Sequence, residues 1–495
     1  MNKQIRRLAV ALMAIYVILF AQLNWLQVAK AKAYNKDPAN TRGVIRDFSR
    51  ARGTIYTADE KPVVVAESVP SGDRYTYRRS YPTGELFSHP VGYFSLKYGT
   101  TEVESAYNDV LTGKTPQQQL TGLGNLFNGS TTTGDVYLTL RADLQAVAKE
   151  AMGDRIGSVV LLDPRSGAIK AMWSNPGFDP NLVASHDFKE ADNARALYLL
   201  NQEKPLLANA YQERYMPGST FKVLTATAGF ENKALTVAST FDSTKEWLPP
   251  NTQIPIKNYG GELCGGQMQR VFEISCNIPF AQTSLALGAD KMVAAVDNFG
   301  FNEKAPLDLP DVAASYFGQV KDFERNAPKL AMSGFGQNAV QGTPLEMALV
   351  AGAVANKGKI MAPYVVEETR DSGGGGVLNR AKPKEWKTAM SPDTATTLTT
   401  FMTGVVNNGT ARCCMKLDNG QQAAAKTGTA QLRGPTEPGG QSSHAWIIGF
   451  APAENPVVAF AVFVKASPEV TTGVGGTIAG PIAKKVLDAA LTVLQ

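Results

Sequence analysis

The sequence predicts an α+β protein: an antiparallel sheet built from strands near both ends of a long segment, with helices on its faces and a helical insert between. Three observations carry this expectation. GSVVLLDPRSGAIKAMWS, starting at Gly157, sets two β-rich runs around a turn at Pro164 to Gly167, which is a hairpin pattern. Toward the C-terminus QAAAKTGTAQL, HAWIIGF and NPVVAFAVFV supply three further strand candidates. The intervening region carries several helical patterns, and sheet faces left apolar must be covered by such helices.

At the N-terminus, Lys3, Arg6 and Arg7 precede LAVALMAIYVILFAQLNWLQV, Leu8 to Val28. At about 1.5 Å per residue, roughly 20 apolar residues span a bilayer core of about 30 Å. The expectation is a cytoplasmic tail over 1–7 and an uncleaved membrane anchor over 8–28, with Trp25 suited to the outer interface. The basic residues stay inside and the rest of the chain goes outside. A cleavable signal peptide ending at AKA, Ala31 to Ala33, is the alternative. The apolar run exceeds the usual signal-peptide core of about 7 to 15 residues.

After the anchor, TRGVIRDFSRARGTIYTADEKPVVVAES reads as short strands with turns, and SHPVGYFSLKYGTTEVESAYNDVLTG as a loop and helix. A polar stretch near residues 112 to 135 marks a boundary. VYLTLRADLQAVAKEAM then reads as a strand turning into an amphipathic helix. GPIAKKVLDAALTVLQ closes the chain as a helix with Pro481 in its first turn.

The 495 residues leave room for two or three domains, and 44% hydrophobic with 19% charged residues is a composition that builds a core. The net charge of +5 comes from scattered basic residues. That gives mild attraction to anionic surfaces and no case for nucleic acid. Four cysteines, Cys264, Cys276, Cys413 and Cys414, permit three full pairings in a compartment where disulfides are allowed. Cys264 with Cys276 closes a short loop and is the bridge expected, with buried free thiols as the alternative. Whether Cys413 and Cys414 pair is open. A metal site is not expected: no C-x2-C unit exists and the chain holds three histidines, His89, His186 and His444. His444 is expected near a strand end, Trp446 in the core.

YMPGSTFKV, Tyr215 to Val223, raises the question of chemistry. Ser219 sits at or near a helix N-terminus with Lys222 one turn on, so the two share a face. S-x-x-K alone also fits an N-cap serine and a solvated lysine. It occurs once, as do S-x-N at Ser275 to Asn277 and K-T-G at Lys426 to Gly428. Together, in this order, they are the signature of β-lactamases and penicillin-binding proteins.

The chain resembles the class B penicillin-binding proteins, most closely the actinobacterial penicillin-binding protein A group. The resemblance extends to RGTIYTADEKPVV, GSVVLLDPRSGAIKAMWSNPGFDPN, FGQNAVQGTPLEMALVAGAVANKG, VVNNGTA and HAWIIGFAP, nearly the whole chain after the anchor. Thr57, Glu60 and Ala425 depart from the family pattern, and LANAYQERY replaces a common segment before the nucleophile. The resemblance implies a penicillin-binding, β-lactamase-like transpeptidase fold over 135–495, preceded at 29–134 by a non-catalytic pedestal or dimerisation module.

It also implies roles. Ser219 would be the nucleophile and Lys222, neutral, its base. Neutrality requires desolvation and a nearby positive charge such as Lys426. The N–H groups of Ser219 and Thr429 would form the oxyanion hole. Ser275 would relay a proton to the leaving amine, and Asn277 would hold the substrate amide and Lys222. Lys426 and Thr427 would bind the terminal carboxylate, with Gly428 allowing its close approach.

The implied reaction is D,D-transpeptidation of peptidoglycan stem peptides ending in D-Ala-D-Ala. No cofactor is expected; β-lactams are inhibitors, and division or elongation proteins are partners in septal or polar wall growth. A D,D-carboxypeptidase or β-lactam hydrolase and a non-catalytic sensor or scaffold are the alternatives. No E-x-x-L-N pattern follows the S-C-N triplet, which disfavours a class A hydrolase. A Ser-His-Asp triad is disfavoured by the supply of histidines and the lack of a G-x-S-x-G elbow. The stretch before residue 135 is too short for a glycosyltransferase.

Overall fold

A computed structural model describes residues 2–30, 48–119, 133–372, 376–433, 442–467 and 474–495. The chain divides into two compact units, Met1–Arg52 with Ser68–Arg78, and Gly53–Glu67 with Arg79–Gln495. In the first, Asn2–Trp25 is a continuous α-helix, extended by a π-helical turn at Leu26–Lys30. The 3–28 stretch is long and apolar enough to cross a membrane, and its side chains are exposed. Asn24 Nδ2 donates to Phe20 O at 2.8 Å, so this polar side chain is satisfied inside the helix. Elsewhere in the unit, Arg52 N donates to Ser68 Oγ at 2.9 Å and the Phe48 and Tyr75 rings lie 5.9 Å apart.

The second unit is organised on a five-stranded antiparallel sheet. Its spatial order is Ala424–Arg433, Ser442–Ala451, Val458–Val464, Gly157–Leu162, Ile169–Asn175. The hairpin and the three C-terminal strands expected from the sequence are all present. Val458–Val464 is buried along its whole length, which explains its unbroken apolar run. Pro344–Ala355 packs on this strand, as does the C-terminal helix Gly475–Leu494, which also meets Ala142–Met152. That last helix begins at Gly475, so Pro481 lies inside it and not in its first turn. The start is fixed by packing: a Cβ on Gly475 would stand 2.4 Å from Gly428 O and 2.3 Å from Trp446 O.

A second sheet crosses the expected boundary at residue 134. Gly134–Leu138 runs parallel to Ile55–Tyr56 on one side and antiparallel to Val366–Asp371 on the other. Residues far along the chain therefore complete the sheet of the N-terminal segment. Beneath it the Arg79 guanidinium meets Glu104 at 2.6 Å, both side chains fully buried, and donates to Gly53 O at 2.8 Å. The polar stretch from 120 to 132 lies outside the described residues.

The helical insert centres on Lys222–Glu231, in which residues 222–229 are all buried, and Ile278–Asp297. A helix apolar or small on every side belongs in a core, and this one carries the S-x-x-K lysine into it.

Candidate active site

Ser219 lies in a single 3-10 turn, Gly218–Phe221, that feeds directly into the Lys222–Glu231 helix. The turn is held from three directions. Gly218 N donates to Gly336 O at 3.0 Å, and Tyr215 exchanges backbone bonds with Gly342 at 3.0 and 2.8 Å. Phe221 stacks on Phe317 with centroids 5.5 Å apart. Gly218 has φ of +54° and its backbone lies against Thr429 O, where an added Cβ would be 2.7 Å away. A side chain there would suffer both strain and collision.

The K-T-G triplet lies on the edge strand Ala424–Arg433, with Gly428 paired to Trp446 and Thr429 to Ala445. A Cβ on Gly428 would stand 2.7 Å from Pro217 O and 2.9 Å from Thr220 Cγ2. The glycine thus lets the serine turn press against the strand, a different use from the substrate approach expected of it. Trp446 is fully buried, as expected, and its Nε1 donates to Met216 O at 3.0 Å. It anchors the backbone that leads into Ser219. His444 is a buried residue at the start of its strand, accepting from Ala466 N at 3.0 Å. Burial holds its pKa down at about 4.

Ser275 and Asn277 occupy the tight link between Met268–Glu273 and Ile278–Asp297, where Ser275 adopts φ of +64°. The expected disulfide ties Cys276 of this link to Cys264 on the strand Cys264–Gln267, and Cys413 pairs with Cys414. Asn258 adds a second clamp that the sequence did not signal. Its Oδ1 accepts from Asn277 N at 2.9 Å and Ile278 N at 3.2 Å, capping the helix from a distant loop. Asn277 Nδ2 donates to Lys257 O at 3.0 Å, which turns Oδ1 toward Lys222.

Four of the expected residues converge in one hydrogen-bonded cluster. Lys222 Nζ donates to Ser275 O at 2.7 Å and Asn277 Oδ1 at 2.8 Å, and lies 3.2 Å from Ser275 Oγ. Lys426 Nζ donates to the same Ser275 Oγ at 2.8 Å and to Thr427 O at 3.1 Å. Both lysines are fully buried. Burial first, and the Lys426 charge second, push the Lys222 amine well below the ordinary lysine range. Burial alone brings Lys426 down to about 7. No hydrogen bond joins Ser219 Oγ to Lys222 Nζ among the described residues, because the amine is turned to the acceptors of the 275–277 link. A neutral amine has two N–H groups for Ser275 O and Asn277 Oδ1, and keeps one lone pair to accept a proton.

The family described as penicillin binding protein transpeptidase domain matches residues 157–488, and the penicillin binding protein A dimerisation domain matches 52–136. The chain is 35% identical to the peptidoglycan D,D-transpeptidase PbpA of Mycolicibacterium smegmatis, and 34% identical to PbpA of Mycobacterium tuberculosis, over 99% of each chain. The M. tuberculosis penicillin-binding protein A, solved as its ceftriaxone acyl-enzyme, superposes with a TM-score of 0.83 at 32% identity, covering 90% of this chain and 100% of that one. Its penicillin G acyl-enzyme gives 0.81 over the same shares. With both domains matched and relatives aligned end to end, the chain belongs to the penicillin-binding protein transpeptidase family.

Proposed function

We propose that this chain is a peptidoglycan D,D-transpeptidase that joins stem peptides through an acyl-enzyme on Ser219, and that β-lactams acylate the same oxygen. The observation that carries the reading is the convergence of two buried lysine amines on Ser275 Oγ, with Ser219 in the 3-10 turn that leads into the buried helix of Lys222.

Lys222, depressed by burial and by its neighbour, takes the Ser219 proton as Oγ attacks the penultimate D-alanine carbonyl. The oxyanion is met by the N–H groups of Ser219 and Thr429; amides of a first helical turn have no intrahelical partner and are free to donate. Lys426 and Thr427 receive the terminal carboxylate. The proton held by Lys222 passes through Ser275 to the leaving amine, the C–N bond breaks, and D-alanine departs. Asn277 fixes Lys222 and the substrate amide. An amine from a neighbouring stem then attacks the ester, transfers a proton back along the same route, and frees Ser219.

The 1–7 tail lies on the cytoplasmic side of the membrane, 8–28 anchors the chain, and the module over 29–134 and catalytic region over 135–495 act outside. Two disulfides support that side. We assign division or elongation partners to the anchor and module, in septal or polar wall growth.

The test is to incubate detergent-solubilised full-length enzyme with a stem pentapeptide donor and an acceptor stem bearing a free amine. Mass spectrometry should find a cross-linked dimer and released D-alanine. Hydrolysed donor without dimer, at saturating acceptor, would place the enzyme among carboxypeptidases.

A further inference from the structure

We propose that Thr410 is a positioning residue that aims the Thr427 hydroxyl at the substrate's terminal carboxylate, and so sets the enzyme's preference for acidic over neutral acyl donors. The inference rests on the function proposed above, in which Lys426 and Thr427 receive that carboxylate.

Thr410 Oγ1 lies 2.5 Å from Thr427 Oγ1. A hydroxyl has one proton and two acceptor sites. A donor to the Thr427 oxygen occupies one of its lone pairs and leaves the Thr427 proton to point at a carboxylate. In this proposal Thr410 has that role, its hydroxyl being within reach to donate, and the geometry is charge-assisted once an anion accepts from Thr427. Thr427 is itself nearly buried, so its rotamer is set by contacts and not by water.

The turn that presents Thr410 is gripped at several points. Thr410 N donates to Glu273 O at 3.2 Å, at the end of the helix that leads into Ser275. A Cβ on Gly409 would stand 2.3 Å from that same carbonyl, and one on Gly476 would stand 2.3 Å from Thr410 O. Cys414 N donates to Ala411 O at 3.0 Å, and the Cys413–Cys414 disulfide closes the turn where Cys414 packs against Gly480. Thr410 is thus tied both to the helix before the S-C-N triplet and to the helix that seats the K-T-G strand. A hydroxyl so placed transmits its position to Thr427 without meeting the substrate.

Stopped-flow acylation of full-length enzyme in detergent, with benzylpenicillin and its methyl ester, tests this. The two differ in the carboxylate alone. Thr410→Val should reduce the acid-over-ester preference about tenfold, the value of one well-placed hydrogen bond to a charged group. Thr410→Ser, which keeps the hydroxyl, should restore it. Equal losses for acid and ester would mean a structural role and overturn the inference, as would an unchanged preference in Thr410→Val. Wild-type enzyme acylated by neither compound would overturn the proposed function, and this inference with it.

Discussion

Lys426 Nζ lies 2.8 Å from Ser275 Oγ, and Lys222 Nζ reaches the same oxygen from the other side at 3.2 Å. In the proposed mechanism one hydroxyl therefore links the amine that binds the carboxylate to the amine that moves the proton. Ser275→Ala breaks the link while leaving Lys222 its bonds to Ser275 O and Asn277 Oδ1. Acylation by benzylpenicillin should fall about 100-fold or more, the range of a lost proton-transfer group. A stopped-flow constant within about threefold of wild type would contradict this, on the same scale.

The two amines should also shape the pH profile of acylation. In the proposed mechanism Lys222 acts as its neutral form, so activity should rise as pH climbs through its depressed pKa. Lys426 must be protonated to hold a carboxylate, so activity falls as pH climbs through its value of about 7 in the free enzyme. The second-order constant should then be bell-shaped, with its alkaline limb starting near neutrality. Arginine stays charged throughout, so Lys426→Arg should lose that limb even at reduced activity. A wild-type constant still climbing at about pH 9 would be inconsistent with a buried amine of this kind.

Asn258 should matter to chemistry as well as stability. Asn258→Ala leaves Asn277 N and Ile278 N without their acceptor, a capping loss of about 1 kcal/mol that lowers the melting temperature by about 1 °C in a chain of this size. Because the same link carries Ser275 and Asn277, acylation should fall about tenfold alongside, as for one lost orienting hydrogen bond. A lowered melting temperature with wild-type acylation would assign Asn258 to folding alone.

Gly428→Ala tests the packing of the serine turn. The new Cβ would meet Pro217 O at 2.7 Å and Trp446 Cβ at 3.1 Å, so either turn or strand must shift. Overpacking of this kind costs about 1–3 kcal/mol, and Ser219 should lose more activity than the melting temperature alone would explain. Retained acylation would show that the turn can yield without moving Ser219.

The residues that were legible in the sequence are those whose meaning is local. Ser219 with Lys222, Ser275 with Asn277, and the K-T-G run each sit within four residues of one another, and the sheet strands announce themselves by unbroken β-rich runs. Asn258 and Thr410 were not legible, because each acts on a residue far along the chain and acquires its partner only when two loops close. The same holds for Gly428, whose nearest neighbours come from the 217–220 turn, and for the completion of the N-terminal sheet by 366–371. Composition carries no trace of such contacts. The start of the last helix was misplaced for a related reason: Pro481 suggested a first turn, while the packing of Gly475 against the K-T-G strand sets the true one.

The most direct measurement is the intact mass of full-length enzyme after benzylpenicillin, followed over time and mapped by peptide digestion, with Ser219→Ala alongside. A stable adduct on Ser219, absent from the variant, is the expected result. An adduct that clears within seconds would identify a hydrolase, and folded enzyme that takes up no adduct would remove Ser219 as the nucleophile.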